Sequence, residues 1–163
     1  MTNKTHSRLK PTHIVFTAVF LLSAFGLRLW QLRWPEAQLQ LGGEDLRVLI
    51  ANTTAHKYRG LGKRDALAPY DGMIFQYAVS GHHGIVMRDM RFPIDIVWLQ
   101  NGQVIDIAPN VPLELGNSET ELTVYRPRLL ANTVLELPAG WTGRQGLKIG
   151  DWARAIDGND AMD

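Results

Sequence analysis

The pair Asn101-Gly102 constrains this chain more than any other feature, because it sits between two apolar runs, 92–99 (FPIDIVWL) and 103–108 (QVIDIA). A two-residue type I′ hairpin needs φ > 0 at both central residues, and Asn-Gly supplies that at least cost. The first run is apolar on both sides of Asp95, which predicts a strand covered on both faces. Three further runs, 46–53, 72–79 and 129–137, are rich in apolar and β-branched residues and are bounded by turn formers, Pro69-Tyr70-Asp71-Gly72 and Pro138-Ala139-Gly140 among them. Residues 152–156 read as a last strand. Helical signals are short: Thr54 capping 55–59 before Gly60 and Gly62, and a turn over 142–147. The segment 109–125 reads as a long surface loop. Many short strands with turn signals predict a mainly β (α+β) fold, a compact antiparallel partly closed barrel or a sandwich with one or two short helices.

The N-terminus is of another kind. Residues 14–27 (IVFTAVFLLSAFGL) carry no charge, with Lys4, Arg8 and Lys10 before them. Fourteen residues span about 21 Å as a helix, short of the roughly 30 Å hydrocarbon core, whereas 14–32 reach about 28 Å. Arg28 then snorkels to the interface, Trp30 and Trp34 lie at the aromatic belt, and Pro35 ends the helix. The expected organisation is a cytoplasmic basic tip plus a transmembrane signal anchor over 1–35, a linker over 36–45, one β domain over 46–156 and an acidic tail over 157–163. The positive flank places the N-terminus in the cytoplasm and the domain outside. The alternative is a cleaved signal peptide with Ala24 and Gly26 before the cut, giving a secreted or periplasmic domain. The anchor is favoured because the apolar, Trp-bearing stretch continues past that weak site.

Composition excludes several classes. There are no cysteines, hence no disulfide framework, thiolate metal site or thiol nucleophile. Five of the 17 basic residues and none of the 16 acidic ones lie in the first 35 positions, which leaves 12 against 16, a net charge of −4, for the rest. Nucleic acid is therefore not a predicted partner. Phosphate-loop, dinucleotide, nucleophile-elbow, zincin and EF-hand motifs are all missing.

Arg59-Gly60-Leu61, Arg64, 72–75 (GMIF), 87–98 (MRDMRFPIDIVW), 134–140 (VLELPAG) and Gly146 to Gly150-Asp151 together resemble the domain-of-unknown-function family DUF192 over nearly all of 46–156. The resemblance implies a compact, mainly β fold, often behind an N-terminal signal or anchor, and no established activity. Two departures stand out. The family's usual aromatic pair before the methionine is Ile85-Val86 here, and its usual Gly-Leu-Met is Gly60-Leu61-Gly62.

Three site readings follow from the residues. The first is a non-catalytic accessory module that binds a small molecule, an envelope glycan or a partner protein. Its candidates are Arg59, Arg64, Met87, Arg88, Asp89 and Asp95, the arginines holding an anionic or polyhydroxyl ligand and the aspartates orienting it. It needs no cofactor. The second is a hydrolase using Asp95 and Glu136, two acids in apolar strands whose burial can tune their pKa values. The competing reading of each acid is a structural lock that pairs with arginine or caps backbone groups. The third is a Met/His copper site at His82, His83, Met87 and Met90, whose ligands are soft enough for Cu(I). Trp98, Trp141, Trp152 and Tyr77 also suggest an aromatic stacking platform, each tryptophan being equally at home in a core.

Overall fold

The computed structural model describes residues 34–156, together with 16–17 and 19–23, which are helical. Most of the expected membrane segment and the whole acidic tail lie outside the described residues. Among the described residues no helix is long and apolar enough to cross a membrane.

The unit that begins at Pro35 runs β1 (Glu36–Leu41), β2 (Glu44–Ala51), α1 (Thr54–Arg59), β3 (Gly72–Gly81), β4 (Ile94–Gln100), β5 (Gln103–Val111), β6 (Ala131–Pro138), α2 (Trp141–Arg144) and β7 (Arg154–Ala155). They form one seven-stranded sheet in the order β5-β4-β6-β3-β2-β1-β7. Every pairing is antiparallel except β2 with β3. A parallel pair requires a crossover rather than a tight turn, and α1 lies in that connection. The cap of α1 is Thr53, one residue earlier than the sequence suggests, its hydroxyl accepting from His56 N at 3.0 Å.

The expected linker over 36–45 is instead the first hairpin. Leu41 pairs with Glu44 across Gly42-Gly43, whose φ values of 60° and 84° meet the type I′ requirement. Leu39 and Leu41 turn inward while their neighbours stay wetter, so the segment's polarity reflects a half-buried strand. Asn101 and Gly102, with φ 51° and 89°, close the β4–β5 hairpin as predicted. β5 runs three residues into the expected loop. Pro109 is tolerated there because β5 ends the sheet, and a bulge between Ile94 and Ile96 absorbs the extra residue.

The sheet curls into a half-barrel that one segment stitches across. Val104 donates to Asp151 O, Gly150 to Val104 O and Ala153 to Gly102 O, each at 2.8 Å, while Ile156 donates to Gln38 O at 3.0 Å. Residues 150–156 thus join the β5 edge to β1. The inner face is packed by Leu39, Leu41, Leu46, Val48, Val97 and Leu135, with Trp141 and Leu147 from the α2 region added to the same cluster. The outer face carries Leu49, Met73, Phe75, Ile96, Trp98 and Val134, all buried. Loops cover it: Trp98 Nε1 donates to His83 O at 2.9 Å, and Ile85 bridges Tyr125. β4 is therefore sealed on both sides, as its composition predicts.

Candidate functional site

Strand alternation decides where the two acids go. Ile96 pairs with Glu136 and Asp95 with Leu137. Directly paired residues share a face and successive ones alternate. Asp95 and Glu136 therefore leave the sheet on opposite faces, and the acid/base pair expected from the sequence is not assembled.

Asp95, fully buried, is a structural lock. Its Oδ1 accepts from Asn110 N at 2.7 Å and Gly140 N at 2.9 Å. Its Oδ2 accepts from Thr142 N at 2.8 Å and Thr142 Oγ1 at 2.7 Å. Burial pushes its pKa up, but the four donors outweigh it and hold the carboxyl below the usual range. One side chain thus ties the β5 bulge and the start of α2 to β4.

Glu136 has the opposite surroundings. It is 4% exposed, flanked in the sheet by Met73 and Ile96, and its Oε2 has no hydrogen-bond partner. Burial alone raises its pKa from 4.5 to about 8. The carboxyl borders a cavity of about 220 Å³. Phe75, Leu61, Ile85 and Met90 form apolar wall; Tyr77 adds a phenol whose pKa is raised by burial and by Glu136.

Cations gather at the rim. Arg59 is exposed, while Lys57 and Arg88 are half-buried. Lys57 Nζ donates to Gln76 O and lies 4.2 Å above the Tyr77 ring. Arg88 pairs with Glu119, donates to Tyr58 O at 2.9 Å and stacks over the Tyr58 ring at 4.2 Å. Among the described residues Arg59 forms no ion pair. Its place in the last turn of α1, with Lys57, suits the helix dipole.

The DUF192 family profile, described as "Uncharacterized ACR", matches residues 37–154. The chain belongs to the DUF192 family. Its fold is similar to that of a proposed transcription regulator from Sinorhizobium meliloti 1021, at 25% identity and a TM-score of 0.68, covering 76% of this chain and 96% of that one. It is also similar to a protein of unknown function from Novosphingobium aromaticivorans DSM 12444, at 26% identity and a TM-score of 0.64, covering 74% and 84% of the two chains. No curated protein matches the sequence.

Within this DUF192 domain both family departures fall at the cavity. Ile85 and Val86 line it, so that wall is aliphatic. Gly62 is pressed against backbone: an added Cβ would lie 2.8 Å from Arg88 O and 3.1 Å from Arg59 O. Of the expected ligand residues, Arg59 and Arg88 reach the cavity. Met87 and Asp89 line an adjoining cavity of about 370 Å³ under the 114–122 loop, Asp89 pairing with Lys63 at 3.4 Å. Asp95 is on the other face, and Arg64 borders neither cavity.

Both histidines of the expected copper set are engaged elsewhere. His82 Nδ1 bonds Pro127 O and His83 Nε2 bonds Val79 O, each at 2.9 Å, and His83 stacks on Tyr77 with centroids 3.6 Å apart. Met87 and Met90 are buried as packing, and no cluster of three or more His, Cys, Asp or Glu residues occurs among the described residues. The tryptophans do not form a platform either: Trp98 lies under the outer loops, Trp141 joins the inner core and Trp152 is exposed. Lys57 and the role of Tyr77 beside Glu136 escaped the sequence reading. No local pattern announces them, because only the tertiary fold brings β3, β6 and α1 to one cavity.

Proposed function

We propose that this DUF192 protein is a membrane-tethered, extracytoplasmic binding module that takes a small polar organic molecule into the cavity above Glu136. The observation that carries the site is the unpartnered Oε2 of a carboxyl 4% exposed beside an open cavity. A buried polar group left unpaired costs about 1–3 kcal/mol, which a hydrogen-bonding group of a ligand recovers. The non-catalytic reading is favoured by Asp95 facing away under four donors, with Glu136 the one carboxylate among the described residues that border the cavity. The tether rests on the apolar stretch 14–32 and its basic flank. The regulator description of one structural neighbour is not carried over, since residues 36–163 hold 12 basic against 16 acidic residues.

The test uses the full chain in detergent. A panel of small organic anions, amines, amino acids and sugars is screened by thermal shift, since selective binding to the native state raises Tm. At least one class should raise Tm in the wild type and not in Val86→Trp, which fills the cavity. A panel flat in both would refute the site. Alkaline extraction and protease accessibility of cells stripped of any outer membrane check the tether; a chain released by carbonate, or protected until the inner membrane is lysed, would refute it.

A further inference from the structure

Resting on that reading of the site, we infer that the ligand is a small ω-amino acid-like zwitterion. Its ammonium end meets the Glu136 carboxyl at the cavity floor, and its carboxylate lies among Lys57, Arg59 and Arg88 at the mouth. Exposure orders the groups by depth, with Glu136 buried, Lys57 and Arg88 half-buried and Arg59 exposed. Among the described residues Glu136 is the one acid bordering the cavity, against these three cations, of which Arg88 is paired with Glu119 outside it.

The charge arrangement selects against simpler ligands. A plain amine satisfies the Glu136 carboxyl but must sit behind Lys57 and Arg59, which form no ion pair among the described residues, and behind Arg88, whose charge Glu119 balances. A plain carboxylate held at the rim leaves the Glu136 carboxyl at the floor without a partner. A polyol can bond the Glu136 carboxyl and the Tyr77 hydroxyl, but it brings no negative charge to the rim cations, and part of the wall, Leu61, Phe75, Ile85 and Met90, is apolar. That wall suits methylenes. A molecule with a donor cation, a short apolar spacer and an anion satisfies all three zones, and about 220 Å³ limits it to a small one.

The rim is prepared for the anion. Arg88 is already oriented by Tyr58 O and Glu119, and Lys57 by Gln76 O and the Tyr77 ring. Arg59 is left for the ligand carboxylate, and the arginine fork suits bidentate binding. The charged and titratable groups facing Glu136 across the cavity are Tyr77 of β3, Lys57, Tyr58 and Arg59 of α1, and Arg88 of the β3–β4 loop. Its sheet neighbours Met73 and Ile96 are apolar. Because burial keeps Glu136 protonated near neutrality, an arriving ammonium ionises it, and binding releases a proton to solvent.

Titration calorimetry on the full chain in detergent at pH 7 tests this with glycine, β-alanine, 4-aminobutyrate and 6-aminohexanoate, against butyrate, butylamine and xylitol. One amino acid of the ladder should bind about tenfold or more tightly than any of the three controls. Its binding enthalpy should vary with buffer ionisation enthalpy, reporting proton release. Glu136→Gln should abolish the proton release and weaken binding about tenfold or more. Arg59→Gln, a surface change, should weaken binding while the proton release persists. A control that binds as tightly as the best zwitterion, or a proton count unchanged in Glu136→Gln, overturns the inference. If such a control loses binding in Val86→Trp, the cavity reading survives without the zwitterion. Silence from every probe overturns both.

Discussion

Replacing Glu136 by Gln should make the ligand-free protein more stable, increasingly so as pH rises from about 5 to 8. The carboxyl titrates near 4.5 in an unfolded chain and near 8 in the fold. Between those values the native state binds one proton that the unfolded state has lost. Stability then falls as pH rises, by about 1.4 kcal/mol per pH unit. The penalty is absent below about pH 4.5, reaches about 3 kcal/mol at pH 7 and levels off near 5 kcal/mol above about pH 8. Glutamine has the same shape and does not titrate, so it removes the pH-dependent part and little else. The assay is urea unfolding of both proteins in detergent at pH 5, 6, 7, 8 and 9, followed by fluorescence of the buried Trp98 and Trp141. The difference in unfolding free energy should be small at pH 5, widen through pH 8 and then stay constant. Parallel stability curves at all five pH values would show that Glu136 is not held neutral in the fold, and the reasoning for a dry cavity floor would fail with it.

Three further outcomes follow from the packing. Asp95→Asn should destabilise by about 3 kcal/mol or more at pH 7, because one amide oxygen cannot replace a carboxylate that accepts from four donors and the amide NH2 confronts some of them; equilibrium unfolding measures it. The wild type should lose this contribution in acid, as pH falls through the depressed pKa of Asp95, while Asp95→Asn shows a flatter acid limb in the same assay. Gly62→Ala should cost about 1–3 kcal/mol through its contact with the carbonyls of Arg88 and Arg59, and a Tm equal to wild type would refute that close approach.

The sheet was largely legible, and the reasons are local. Asn101-Gly102 announces its hairpin because the backbone geometry needs those residues. Gly42-Gly43 carries the same signal, but Glu36, Gln38 and Gln40 make the preceding strand look like linker until their alternation with Leu39 and Leu41 is seen. Pro109 hides the end of β5, since a proline is acceptable in a strand only when that strand is at an edge, and edge position is a tertiary fact. The site was half legible. Glu136 stands out as a charge in an apolar run, while Arg59 and Arg88 are marked by the DUF192 motifs they belong to. That Asp95 belongs to the other face was not readable. β4 is apolar on both sides, so no polar stripe marks its faces, and only the register with β6 separates the two acids. Arg64 resembles its neighbours in sequence, yet the turn after α1 carries it off the cavity.

The strap over residues 150–156 has a consequence for how the protein is made. It follows β6 in the chain, and it is what holds β5 and β1 from their open sides. A ribosome that has released everything through β6 has therefore produced a sheet with two unclaimed margins and an apolar concave surface. Such margins pair readily with other chains. A premature stop between Leu147 and Gly150 removes the clasp and leaves nearly the whole apolar interior in place, so the expected fate of that fragment is self-association rather than a smaller folded domain.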